Sequence, residues 1–358
     1  MTSGPGPAAS DPSGVAPDGP APLIDEALAL RTAALVAPRR RTTRDEVATL
    51  RAEVVADLPS IDAAARSWSH LGADLPPVEA AVVGRTGWVR VNLTAMRGIF
   101  EPVRERLERR VGAKKVLGVQ IGALFGLLSA KVLGQYVLPL GGPGGGQLVI
   151  VGPNVLDLAE RHGPLATDIR RAVVLHEVTH RLQFEDNPWL GNHLRDLVDR
   201  YLAHARESGL AFAEVAPRIP ELVEQVRDTG SIEPLLGAVL TEEQVEVVSE
   251  AQGLMSLLEG HGNTAMFSAA PPDLIVDPEG VRQALANRRS DVTSKVLTAV
   301  AGLEMKRRQY REGEEFVREV IDLGGVDGLN RAFVSSENLP GASEVSDPQG
   351  WLDRVQSA

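Results

Sequence analysis

The 358-residue sequence contains no cysteine. A chain without thiols forms no disulfide and offers no thiolate to a metal ion. Histidine and carboxylate side chains are then the ordinary protein ligands left for a transition metal. A metal site in this chain is therefore expected where these two residue types occur together.

Basic blocks and export signals are missing as well. The net charge is -11 and the sequence has no long basic block, which argues against a nucleic-acid partner because phosphate binding depends on clustered positive charge. Residues 1–21 are mostly Pro, Gly, Ala, Ser and Asp, so they predict a disordered tail and not a signal peptide. We expect a cytoplasmic protein, and its oligomeric state stays open.

The longest apolar stretch runs from Val116 to Leu138. Two glutamines and a lysine interrupt it, and no uninterrupted run approaches the roughly 18 residues that a membrane span needs. A buried helix is therefore favoured over a membrane segment. Gly118, Gly122 and Gly126 recur every four residues and predict a helix face that another helix crosses at close range.

His176, Glu177 and His180 form the pattern His-Glu-x-x-His inside the apolar run Ala172–Phe184. Residues four apart on a helix lie one above the other, so both imidazoles project from one face and can bind one metal ion. Glu177 flanks the same site, where it could take a proton from water and pass it to a leaving group. The pattern predicts a zinc-binding helix between Gly163 and Pro188.

The third zinc ligand must come from elsewhere, and the helical run Thr241–Phe267 offers candidates. Glu259 is favoured, because a carboxylate among apolar residues is costly unless a cation compensates it. Glu250 is the rival, since it points roughly the same way. Asn263, one turn after Glu259, could hydrogen-bond a ligating histidine. His261 turns about 200° away from Glu259 and is not expected to bind the same metal.

These motifs resemble a known family, the actinobacterial zincin-like proteins identified as zinc-dependent metalloproteases or as proteins associated with coenzyme F420 biosynthesis. The similarity extends over most of the chain. It is carried by Gly87–Asn92, His176–Phe184, Pro188–Leu190, Met255–Asn263, Arg308–Val317, Gly325–Asn330 and Asp347–Trp351. The resemblance implies a zincin-like fold with His176, His180 and Glu259 as metal ligands and Glu177 as the catalytic acid and base.

A strand is predicted for five residues after a glycine-rich turn, namely Gln147, Leu148, Val149, Ile150 and Val151. The turn leads into a strand and not into a helix with Lys and Ser or Thr, so a phosphate loop is not indicated. In zincins an edge strand beside the metal helix commonly pairs with an extended substrate, and we expect this strand to do so. The alternative is an interior strand that meets no ligand.

We predict an α+β fold that is predominantly α-helical, with a zincin-like metallopeptidase architecture and a small sheet beside the metal-binding helix. Residues 1–21 form the tail, 22–140 a helical N-terminal lobe, and 141–358 a zincin-like metal-binding region with a helical C-terminal part packed as one unit with the lobe. Apolar periodicity predicts further helices at Leu23–Val36, Thr43–Trp68, Asn92–Val111, Leu190–Glu207 and Lys306–Leu323.

The predicted function is zinc-dependent hydrolysis of a peptide or protein substrate. Zn²⁺ is the expected cofactor, and neither nucleic acid nor membrane is an expected partner. A non-proteolytic protein that keeps the fold as a binding or scaffolding component, linked to coenzyme F420 metabolism, is the alternative. His261, Tyr310 and Arg307 are candidates for stabilising an oxyanion, without a clear signature for any of them.

Overall fold

The computed structural model describes residues 23–38, 40–99, 112–140, 145–205, 242–286, 305–341 and 343–357. Side chains at 204–205, 242 and 305–312 lie outside that description. The predicted tail at residues 1–21 is also outside the described residues.

Helices dominate the described part of the chain. They are α1 (Glu26–Val36), α2 (Arg44–Ser69), α3 (Arg85–Ala95), α4 (Ala113–Leu128), α5 (Gly152–His162), α6 (Ala166–Asp186), α7 (Pro188–Ala205), α8 (Glu242–Ser268), α9 (Met305–Asn330) and α10 (Pro348–Ser357). The strands are β1 (Ala80–Val83), β2 (Gly134–Val137) and β3 (Gln147–Val151). The prediction of a mostly helical α+β fold with a small sheet is confirmed.

The three strands form one sheet in the order β1-β3-β2. β1 pairs with β3 in parallel, and β2 pairs with β3 in an antiparallel ladder. β3 therefore has a partner on both sides, and the prediction that Gln147 to Val151 form an edge strand is wrong. A short run of Val, Ile and Leu fits the middle of a sheet at least as well as its edge, and periodicity alone does not separate the two.

Both faces of the sheet are buried. Leu148 and Ile150 of β3 face the larger core, which is shared with α2, α6, α8 and α9. Val149 and Val151 face a second core with α1, α3 and α4. This alternation follows the period of two along a strand, and it makes the sheet the middle layer between two helical layers.

The three glycines of α4 lie directly against α1. A Cβ on Gly122 would run into the backbone of Ala29, and one on Gly118 would lie 2.8 Å from the carbonyl oxygen of Asp25. The predicted close helix crossing is thus confirmed. The predicted extent of the helix is wrong, because α4 ends at Leu128 and the rest of the apolar stretch supplies β2. None of the described helices is long and apolar enough to cross a membrane.

α8 packs closely against α9. A Cβ on Gly260 would collide with the backbone of Gly313, and one on Gly313 would collide with the backbone of Ser256. Two helices approach this closely only where neither carries a side chain at the crossing. The contact fixes the turn of α8 that carries Glu259.

Most predicted helices are found with shifted ends. The clearest correction concerns Asn92–Val111, because the helix there is α3, which begins at Arg85 and ends at Ala95. Residues 100–111 lie outside the described residues. The proposed division at residue 140 stays a prediction, and the sheet takes β1 and β2 from one side of it and β3 from the other.

Replacing Gly122 with Ala tests the α1–α4 crossing. Overpacking a buried contact costs about 1–3 kcal/mol, whereas the gain in helix propensity is about 1 kcal/mol. We therefore expect a lower free energy of unfolding in urea. Gly145→Ala is the control, because a Cβ there meets nothing within 4 Å. Equal stability of the two variants would contradict the crossing.

Candidate metal centre

The two histidines of the motif lie one turn apart on α6. Their Nε2 atoms are 3.0 Å from each other, and their rings meet edge to face. Ile169, Ala172 and Leu175 on the same helix are fully buried in the larger core, which holds α6 in place. The motif spacing and the burial of the helix together direct both imidazoles to one point.

Glu259 of α8 reaches the same point from the neighbouring helix. Its carboxylate oxygens lie 3.6 Å from Nε2 of His176 and 3.8 Å from Nε2 of His180. Ligands at about 2.0–2.1 Å from a tetrahedral zinc ion stand about 3.3 Å apart, so the three donors fit that ion. Their side chains are 12–22 % exposed, so solvent reaches the cluster.

Glu250 lies elsewhere on α8. Both of its carboxylate oxygens accept hydrogen bonds from the guanidinium of Arg200 at 2.8 Å. Nine residues along a helix separate Glu250 from Glu259 by about 13 Å. The only group of three or more His, Asp or Glu residues that could hold a metal ion, among the described residues, is His176, His180 and Glu259. Of the two rival glutamates, the structure brings Glu259 to the histidines.

Glu177 is buried between α6 and β2. Its Oε2 accepts a hydrogen bond of 3.0 Å from the backbone N–H of Tyr136. Burial raises the pKa of Glu177 to about 7, and the charge on Glu259 raises it too, whereas His180 and the Tyr136 N–H lower it. A Cβ on Gly134 would lie 2.7 Å from Cγ of Glu177, so the glycine makes room for this side chain.

Tyr136 is itself held in place by α6. Its hydroxyl donates to Oε1 of Glu185 at 3.1 Å, and its ring stacks on Phe184. Arg181 donates from Nε to the other oxygen of Glu185 at 2.9 Å. Glu177 and Glu185, two turns apart on α6, therefore both bind Tyr136 of β2, and the strand orients the motif glutamate.

Gln183 contacts His180 and was not identified from the sequence. The Nδ1 atom of His180 lies 2.8 Å from Oε1 of Gln183, which is fully buried. The available signal was a glutamine three residues after His180, on the same helix face and flanked by Leu182 and Phe184. Asn263, the predicted partner of a ligating histidine, lies fully buried one turn after Glu259, and its role stays a prediction.

The structure describes the side chain of one of the three candidates for stabilising an oxyanion. His261 is fully buried, stacks on Trp68 and accepts a hydrogen bond from Gln183, so it faces the core and not a substrate. Burial lowers the pKa of His261 to about 3 and keeps the ring neutral. The side chains of Tyr310 and Arg307 lie outside the described residues.

Known proteins are similar to this chain over most of its length. A family model described as zincin-like metallopeptidase matches residues 24–352. The chain is also similar to the crystal structure of a proposed hydrolase with a novel fold from Chloroflexus aurantiacus, at 28% sequence identity and a TM-score of 0.68. That match covers 94% of this chain and 99% of the other. No curated protein matches the chain.

Zinc binding should depend on Glu259 and not on Glu250. We expect Glu259→Gln to weaken zinc binding by more than about 100-fold, beyond the 10–100-fold typical of residues behind the ligands. Glu250→Gln should leave the zinc affinity unchanged, since it removes only the partner of Arg200. The measurement is competition with a chromogenic chelator, and the reverse order of the two affinities would overturn the choice of Glu259.

Proposed function

The chain belongs to the zincin-like metallopeptidase family, and we propose that it is a zinc-dependent hydrolase of peptide bonds. In this proposal His176, His180 and Glu259 hold the metal, and Glu177 moves the proton. The observation that supports it most is the convergence of two imidazole nitrogens and one carboxylate from two helices, with a second, buried carboxylate beside them.

The donor set suits Zn²⁺, which binds imidazole nitrogen and carboxylate oxygen. Zinc held by these residues would supply Lewis acidity, lowering the pKa of a water molecule and polarising the scissile carbonyl. Because Oε2 of Glu177 accepts the Tyr136 N–H, its Oε1 is the oxygen that receives the proton of the attacking water. Glu177 then passes this proton to the leaving nitrogen as the C–N bond breaks.

β2 is the strand that borders the site, and we propose its outer edge as the place where an extended substrate pairs. Val151 N–H donates to Leu133 O at 2.8 Å. Because hydrogen-bonded pairs alternate along an antiparallel ladder, the polar groups of Gly134 and Tyr136 point away from β3. Tyr136 directs its N–H to Glu177, which places the carboxylate and this strand edge side by side.

The alternative is a protein that keeps the fold and the zinc site but acts as a binding or scaffolding component. The resemblance to proteins associated with coenzyme F420 biosynthesis is the reason to retain it. The two functions predict the same metal content and differ in turnover, so a mutation that spares the metal but removes the proton carrier distinguishes them.

Glu177→Gln is that mutation. The amide cannot accept a proton, so hydrolysis of a peptide library should fall by about 100-fold or more, while zinc remains bound because Glu177 is not among the three donors. Glu250→Gln serves as control and should keep both zinc and activity. Zinc binding by the wild-type protein without cleavage of any peptide would favour the scaffolding function.

A peptide hydroxamate tests the proposed location of the substrate. Its chelating group should bind the metal while its backbone pairs with β2, so it should bind the zinc-loaded protein more tightly than the carboxamide of the same sequence. Isothermal titration of both compounds gives the comparison. Equal affinity of the two would contradict a peptide-binding cleft at the metal.

A further inference from the structure

Gln183 connects the two helices that carry the candidate ligands. Its side-chain amide lies between His180 of α6 and the backbone of α8. Oε1 is 2.8 Å from Nδ1 of His180, and Nε2 is 3.1 Å from the carbonyl oxygen of Leu258, the residue before Glu259. One buried amide therefore touches a ligand on one helix and the neighbour of a ligand on the other.

The chemistry of these contacts fixes the direction of the amide. The carbonyl oxygen of Leu258 can only accept a hydrogen bond, so the atom of Gln183 that faces it must be the NH₂ group. The amide oxygen then faces His180 and can itself only accept. His180 must consequently carry its proton on Nδ1, which leaves the lone pair of Nε2 directed toward His176 and Glu259.

His261 holds the far side of the same amide. Its Nδ1 lies 2.9 Å from Nε2 of Gln183 and accepts the second proton of the NH₂ group. The ring is fully buried and contacts the rings of Trp68 of α2, at 5.1 Å between centroids, and Phe333, at 5.6 Å. These two aromatic contacts hold the ring, so the acceptor offered to Gln183 has a fixed position.

We infer that Gln183 is a positioning residue that assembles the metal site, setting the tautomer of His180 and holding α8 so that Glu259 meets the two histidines. His261 is its support. This inference rests on the proposed zinc site. A carboxylate or a backbone carbonyl usually accepts the hydrogen bond from the ring N–H of a zinc-bound histidine. Gln183 takes that role here, and it also bonds to the second helix that carries a ligand.

Two variants separate the parts of this role. Gln183→Met keeps the length of the side chain and removes every hydrogen bond, so we expect zinc affinity to fall by about 10–100-fold. Gln183→Glu keeps an acceptor for His180 but loses the donor to Leu258, and we expect a smaller loss. Gln244→Leu is the control, because Gln244 is a buried glutamine too, but it lies on α8 and bonds to the carbonyl of Tyr201 away from the metal.

The readouts are zinc affinity by chelator competition and the Nδ1 proton of His180 in NMR spectra of metal-free, ¹⁵N-histidine-labelled protein, in which no zinc ion on Nε2 fixes the tautomer. We expect the proton on Nδ1 in the wild type and in Gln183→Glu, and a mixture of the Nδ1 and Nε2 tautomers in Gln183→Met. Should the methionine variant not fold, a neutral His180 with its proton on Nε2 in the wild type would overturn the tautomer assignment.

The outcomes distinguish this inference from the proposed function. If the wild-type protein binds no zinc, the proposed function fails and the inference fails with it. If the wild type binds zinc and Gln183→Met binds it within about threefold, which is smaller than the effect of a residue behind a zinc ligand, only the role of Gln183 is overturned. A loss of affinity equal to that of Gln244→Leu would likewise reduce Gln183 to a structural residue.

Discussion

Gly262 lies against the imidazole of His176, where an added Cβ would be 2.9 Å from Cε1 and Nδ1 of the ring. This contact sets how closely α8 approaches α6. A larger residue at Gly262 would push the helices apart and would withdraw Glu259 from both histidines. The three-donor cluster and the contacts of the Gln183 amide depend on this close approach of α6 and α8, because each joins one helix to the other. The packing of these two helices in their layer depends on it as well.

The geometry of the local part of the candidate site follows directly from the sequence. His176, Glu177 and His180 come from one helix, and their relation follows from its geometry. The choice of Glu259 needed one more argument, the cost of an uncompensated carboxylate among apolar residues, and the structure places that residue beside the histidines. Glu250 pairs instead with Arg200 on α7, and helical spacing does not reveal that partner.

The failures concern contacts between distant segments. The prediction that β3 is an edge strand is wrong because the sequence pattern does not reveal its antiparallel partner, β2. That strand lies in the apolar stretch for which a single helix is predicted. Gly134 was the overlooked sign, since a glycine inside a strand often marks a close approach by another group. Gln183 was missed for a related reason, because its importance lies in Leu258 and His261, some 75 residues and more away along the chain.

The order of these segments along the chain has a consequence for biosynthesis. A ribosome completes both histidines of α6 well before it reaches α8, and Glu259 follows His180 by 79 residues. The nascent chain therefore presents two imidazoles that lack their carboxylate partner and the Leu258 carbonyl that orients Gln183. In the proposed zinc site a tight metal complex would form only after α8 docks, so loading with metal would belong to the end of folding and not to its beginning.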